Sequence, residues 1–310
     1  MIHIDAFSSK IISAKNEYLE EMAFLIIERI ENIHTIPKIN NKIAKKLFDF
    51  FINDNIEEIL IGMPEAIAEI NEKIEPIIKG SSDFKTAIKY VFNYKWFIDK
   101  CVNRYDAYDL AESLDIITCT YCNRIYTNTV ITKNNVKIIR PQFDHFFDKD
   151  SNPLLALSFY NLIPSCSICN SNIKLGKQFV LKTHTHPYID DIIDDFNFTY
   201  DFTNENRKGL KIIVNSQKGS KIEKTFLDMS LEVVYNAHLD ELNDLLELKS
   251  KFSDRYLSIL SSNILGPSVQ ISQEELYRLA FGTEYDKKDF YKRSFSKFKN
   301  DILKELNIIY

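Results

Sequence analysis

Apolar residues recur every three or four positions through most of the first 110 residues. Residues 14–35 place Leu19, Met22, Ile26, Ile30 and Ile33 at helical spacing, with Glu and Lys between them. The same period runs through "NKIAKKLFDFFI" (41–52) and "IEEILIGMPEAIAEINEKIEPII" (56–78), where Pro64 and Pro76 predict breaks. "SSDFKTAIKYVFNYKWFIDKCV" opens on an N-cap cluster and keeps Phe84, Ile88, Phe92 and Trp96 on one side. The texture then changes. From "CTYCNRIYTNTV" to "YNLIPSC" the chain is rich in Thr, Tyr, Ile and Val, in short extended segments. Residues 195–215 predict a hairpin, two alternating runs around the polar "NENRKG". "SLEVVYNAHLDELNDLLELKSKF" and "SQEELYRLAFG" return to helix. The expected fold class is α+β, a mainly helical chain around a small mixed centre. Its segments are a helical region at 1–112, a core at 113–185, and a hairpin with helices at 186–310.

The composition, 45% hydrophobic and 27% charged with only 7 Gly and 8 Pro, is that of a globular protein with little linker. "AFLII" and "EEILIGM" are far too short to span a bilayer. The first residues lack a basic start followed by an uninterrupted apolar core, so a cytoplasmic location is expected. A net charge of −5 argues against a protein that coats nucleic acid. A local basic patch still acts over a Debye length of about 8 Å. One such patch carries Lys174, Lys177 and Lys182. The other, "KKDFYKRSFSKFK", carries Lys287, Lys288, Lys292, Arg293, Lys297 and Lys299, and is read as the solvated face of an amphipathic helix.

Four of the five cysteines form two C-x-x-C pairs, Cys119 with Cys122 and Cys166 with Cys169. Each turn aims two thiolates at one ion, and two turns complete a tetrahedron, so a structural Zn²⁺ is expected. The bland alternative is two unrelated pairs of buried or redox cysteines. Cys101 is left over and is expected to pack in a helix. A simple zinc ribbon has about 15–20 residues between its pairs. Here residues 123–165 intervene, and they contain "RPQFDHFF", an acid and an imidazole among phenylalanines on a predicted strand.

The order is Asp144–His145, then "NLIPSC" with Asn161, then "CNSNIKLG" with Asn170. It resembles the HNH endonucleases that carry a zinc-binding cysteine quartet. The likeness covers about residues 115–182, and Lys174 lies one residue further from Asn170 than in many members. What the resemblance implies is a ββα-metal unit clasped by zinc. His145 would be the general base, with Asn161 in support as part of the catalytic set. Asp144 and Asn170 would hold Mg²⁺, with Mn²⁺ as a substitute, and Arg140, Lys174 and Lys177 would contact phosphates. The chemistry suits these types: a neutral imidazole takes a proton from water, and hard oxygen ligands hold Mg²⁺. Neighbours on a regular strand face opposite ways, so a strand end or bulge must bring Asp144 and His145 to one ion.

The resemblance further implies a DNA substrate in preference to RNA, and a homo-oligomer or second visit for a double-strand break. An ATPase or other protein partner, as in anti-phage defence systems, belongs to the same expectation. Two rivals stand beside it. One is a zinc-knuckle module that binds nucleic acid or protein, with Asp144 and His145 structural. The other is an HNH enzyme that cuts RNA. His184 and His186, alternating in "KTHTHPY", share a face and are read as surface or packing residues before metal ligands.

Overall fold

The computed structural model describes residues 1–36, 39, 55–99, 104–203, 209–252 and 272–309. The helix predicted at 41–52, Cys101 and most of the turn at 204–209 lie outside them. The fold is α+β. The longest described helix, α1 (Ser9–Glu31), starts at Ser8, whose side chain accepts from the Ile11 amide. It buries Ile11, Ala14, Tyr18, Met22, Ile26 and Ile30, one stripe of a 3.6-residue period. Against it pack α2 (Ile56–Ile61), α4 (Ser82–Val91) and α6 (Ala107–Leu114). Between these lie α3 (Pro64–Gly80) and α5 (Tyr94–Ile98).

Two proline expectations divide. Pro64 begins α3, where its missing N–H costs nothing. The break expected at Pro76 does not occur, and α3 runs through it. Pro76 is exposed, while Ile67, Ile70, Ile74 and Ile78 are buried and hold the helix from its other face. That helix ends instead at Gly80, where Ser81 caps the next one; a second break comes at Phe92, and Asn93 restarts the helix by accepting from the Trp96 amide at 3.0 Å. Trp96 therefore leaves the face shared by Phe84, Ile88 and Phe92.

The described strands form three antiparallel two-stranded sheets. They pair β1 (Val130–Ile131) with β2 (Lys137–Ile139), β3 (Gln142–His145) with β4 (Leu162–Ser165), and β5 (Phe196–Phe202) with β6 (Leu210–Ser216). The predicted hairpin is β5–β6. Beyond it lie α7 (Lys221–Asp228), α8 (Leu231–Asn236), α9 (Leu239–Phe252), α10 (Gln273–Phe281) and α11 (Ser296–Glu305), with α11 packed on β5. One buried apolar cluster extends from Met1 and the α1 stripe through Phe143 and Leu162 to Ile309. The central strands therefore sit on the same core as both helical regions.

The C-terminal basic patch is not a free cationic surface. Lys287 pairs with Asp194, Lys288 with Asp286, Lys292 with Asp289, Arg293 with Glu284, Lys297 with Asp301 and Lys299 with Glu241. Lys297 departs furthest from the solvated-face reading, because its side chain is buried over the Phe196 ring. Among the described residues, no helix is long and apolar enough to cross a membrane.

Candidate functional site

The four cysteines converge. The sulfurs of Cys119, Cys122, Cys166 and Cys169 are buried and lie within 4.8 Å of one another. A tetrahedral ion with Zn–S bonds of about 2.3 Å needs sulfurs about 3.8 Å apart, so the quartet could hold a metal such as zinc. Each knuckle is shaped by its own backbone. The Asn123 amide donates to the Cys119 carbonyl at 2.8 Å, with Asn123 in the left-handed region at φ 50°. Asparagine tolerates that conformation better than bulkier residues. The Asn123 side chain also donates to the Phe290 and Arg293 carbonyls, tying the knuckle to the C-terminal segment. In the second knuckle the Cys169 amide donates to Cys166 Sγ at 3.4 Å and the Asn170 amide to the Cys166 carbonyl at 3.0 Å. The Thr120 amide joins the first knuckle to β4 through the Pro164 carbonyl.

Strand β3 leads from this cluster to the acid and the imidazole. Its pairing with β4 is regular to its end, Asp144 opposite Ile163 and His145 opposite Leu162, with no bulge. The strand stops at His145, and both residues line one cavity of about 210 Å³. Asp148, Lys149, Asn170, Lys174 and Lys177 line it as well. Asp144 Oδ2 accepts from the Tyr121 hydroxyl at 2.5 Å and from Lys174 Nζ at 2.9 Å. Burial raises its carboxyl above the ordinary value, with the Lys174 ammonium pulling it back.

His145 Nε2 lies 3.0 Å from the Ala156 carbonyl. A carbonyl only accepts, so the network assigns the proton to Nε2 and leaves the Nδ1 lone pair free of any described partner. Tyr94 packs edge-on against the ring, 4.4 Å between centroids, and donates its hydroxyl to the Phe143 carbonyl. Burial pulls the imidazole down to about 3, so it is neutral near pH 7.

Asn161 is placed on the backbone of the β3–β4 connection. Its Oδ1 accepts from the Phe147 amide at 2.7 Å, and its Nδ2 donates to the Phe147 and Leu155 carbonyls. The loop that presents Ala156 to His145 is thereby braced. Asn170 donates through Nδ2 to Gln142 Oε1 at 3.0 Å, leaving its own Oδ1 without a described donor.

The three residues expected to contact phosphate each have a partner within the chain, and Lys174 and Lys177 line the cavity. Lys174 is turned inward, 5% exposed, and donates to the His145 carbonyl besides Asp144. The cause is the winding of residues 168–173, a π-type turn whose i→i+5 bond runs from the Lys174 amide to the Cys169 carbonyl. It takes up one residue more than an α-turn, which absorbs the long spacing between Asn170 and Lys174. Gly176 then turns the chain at φ 75°. Lys177 donates to the Asp228 carbonyl, and Arg140 to the Pro141 carbonyl, its guanidinium near the Tyr108 and Phe143 rings.

Sequence reasoning missed Tyr121 and Tyr94, which carry no motif of their own. It also missed a supporting stack, in which Phe179 lies parallel to His184 at 4.2 Å and His184 Nε2 meets Asp228 Oδ2 at 2.9 Å. His184 and His186 are buried packing residues, and neither joins the cysteine cluster. Comparison of the chain with family models, curated proteins and solved structures finds no match.

Proposed function

We propose that the chain is a metal-dependent phosphodiester hydrolase of the HNH kind, with a structural zinc and with DNA as its substrate. The observation that carries this reading is His145. Its tautomer is set by the Ala156 carbonyl, its Nδ1 lone pair has no partner among the described residues, and it shares a cavity with Asp144 and Asn170. An imidazole near 3 is a weak base on its own, and a phosphodiester anion entering the cavity would raise it.

Asp144 and Asn170 offer a carboxylate and an amide oxygen, the hard donors that suit Mg²⁺, which keeps most of its waters. A bound Mg²⁺ would neutralise charge on the phosphoryl and leaving oxygens. The chain's own work is to hold the acid through Tyr121, to orient the base through Ala156, and to brace that loop with Asn161. Cys119, Cys122, Cys166 and Cys169 would fix the geometry through zinc. A second reading has one observation behind it: Asp144 already has buried partners in Tyr121 and Lys174, as a structural ion pair would. It makes the chain a zinc-knuckle binding module.

Substrate class is tested by offering the zinc-loaded protein matched DNA and RNA strands with Mg²⁺. Preferential cutting of DNA is expected. Cutting of RNA alone would keep the enzyme and replace its substrate. An oligomer remains part of this reading, because one such centre cuts one strand; a protein partner of the ATPase kind rests on the resemblance alone.

A further inference from the structure

We propose that Lys174 is a built-in counter-ion that competes with a divalent cation for the Asp144 carboxylate and so sets the metal affinity of the centre. The proposal rests on the reading of Asp144 as a metal ligand. Both side chains are buried, 5% and 6% exposed, and Nζ lies 2.9 Å from Oδ2. A surface ion pair would be screened and mobile, whereas this one is neither.

Three contacts hold the ammonium in place. It donates to the Asp144 carboxylate and the His145 carbonyl, and it lies 4.7 Å from the centre of the Phe179 ring. The Phe179 ring is stacked on His184, which Asp228 holds in turn. The π-type turn at 168–173 sets the backbone from which the lysine points inward. Lys174 is thus positioned from both its ends, as a group with a fixed task would be.

Oδ1 of Asp144 takes no hydrogen bond from a described residue, and Asn170 Oδ1 is likewise open. A cation reaching those two oxygens finds an ammonium already on the same carboxylate. The cavity wall repeats the conflict, with Lys149, Lys174 and Lys177 against Asp144 and Asp148. Such a wall favours an anion over a lone divalent cation, so metal binds weakly until the lysine charge is removed or drawn onto a phosphate.

The test is a Mn²⁺ titration of the zinc-loaded full chain, followed by electron paramagnetic resonance and by thermal melting. Lys174→Met is expected to bind Mn²⁺ at least tenfold more tightly than wild type. The double variant Lys174→Met, Asp144→Asn is expected to lose that gain. If Lys174→Met folds poorly, Mn²⁺ is expected to raise its melting temperature more than that of wild type. Equal or weaker binding in Lys174→Met, a gain that survives Asp144→Asn, or a melt that Mn²⁺ leaves unmoved would each overturn the proposal. Cleavage plays no part in this readout. A protein that shows the Mn²⁺ gain and never cuts nucleic acid would sink the nuclease reading alone.

Discussion

The hydroxyl of Tyr121 donates to Asp144 Oδ2 at 2.5 Å, and Tyr121 stands inside the first cysteine pair. The first cysteine knuckle and the buried acid are therefore one mechanical unit. Burial raises the Tyr121 phenol well above its usual value, so the hydroxyl keeps its proton and remains a donor.

That coupling gives the first prediction. Removing zinc with a chelator, or replacing Cys122 or Cys169 by Ser, should abolish stoichiometric zinc and collapse the thermal midpoint. Structural zinc contributes folding free energy directly, about 10 kcal/mol or more in isolated fingers. Metal content by mass spectrometry and a cobalt-substituted thiolate spectrum check it. A folded Cys122→Ser protein with full zinc would contradict the assignment.

Tyr121→Phe isolates the hydroxyl. The ring stays in its place, and one hydrogen bond to a buried carboxylate is lost, at a cost of about 2 kcal/mol. Urea unfolding of the zinc-loaded protein measures it. An unchanged midpoint would show that the hydroxyl carries no weight.

Asn161→Ala removes three hydrogen bonds and strands the Phe147 backbone groups in a buried loop. The expected cost is about 3 kcal/mol. If Asn161 acts by bracing, the loss of activity should follow the loss of folded protein. A folded, stable Asn161→Ala protein without activity would instead place the amide in the chemistry.

Acid should unfold the protein through its buried histidines. Burial pulls His145 and His186 from 6.5 to about 3, so between those values the unfolded chain binds more protons. Stability is present above pH 6.5 and is lost as pH falls, by about 1.4 kcal/mol per pH unit for each group. Asp144 works against them. Its raised pKa adds stability below its folded value that is lost as pH rises through it. His186→Gln should flatten the slope between pH 6 and 4 by about one proton. Urea unfolding across that range tests it, and an unchanged slope would contradict the buried neutral ring.

The sequence shows most clearly what repeats or pairs locally. The stripe of Met22, Ile26 and Ile30, the β5–β6 alternation and the two cysteine pairs each carry a period or spacing that secondary structure must obey. Tyr121 was invisible because its partner is far along the chain and its neighbours read only as extended texture. The direction of Lys174 depends on one π-type turn, which spacing alone does not distinguish from a longer loop. Pro76 misled because a proline on a solvent face leaves a well-buried helix intact. The C-terminal cations looked unpaired because three of their carboxylates, Asp194, Glu241 and Glu284, lie outside the patch and its immediate neighbours. The pairing of Asp144 with His145 on one cavity is reached at a strand end, one of the two expected routes, and without a bulge.

The most direct test of the central claim is cleavage of a supercoiled plasmid by the zinc-loaded protein with Mg²⁺ or Mn²⁺, beside His145→Ala. The account predicts nicking by wild type that requires the added metal and is lost in the folded His145→Ala variant. Undiminished nicking by that variant, or none by a zinc-loaded wild type with either metal, would contradict it.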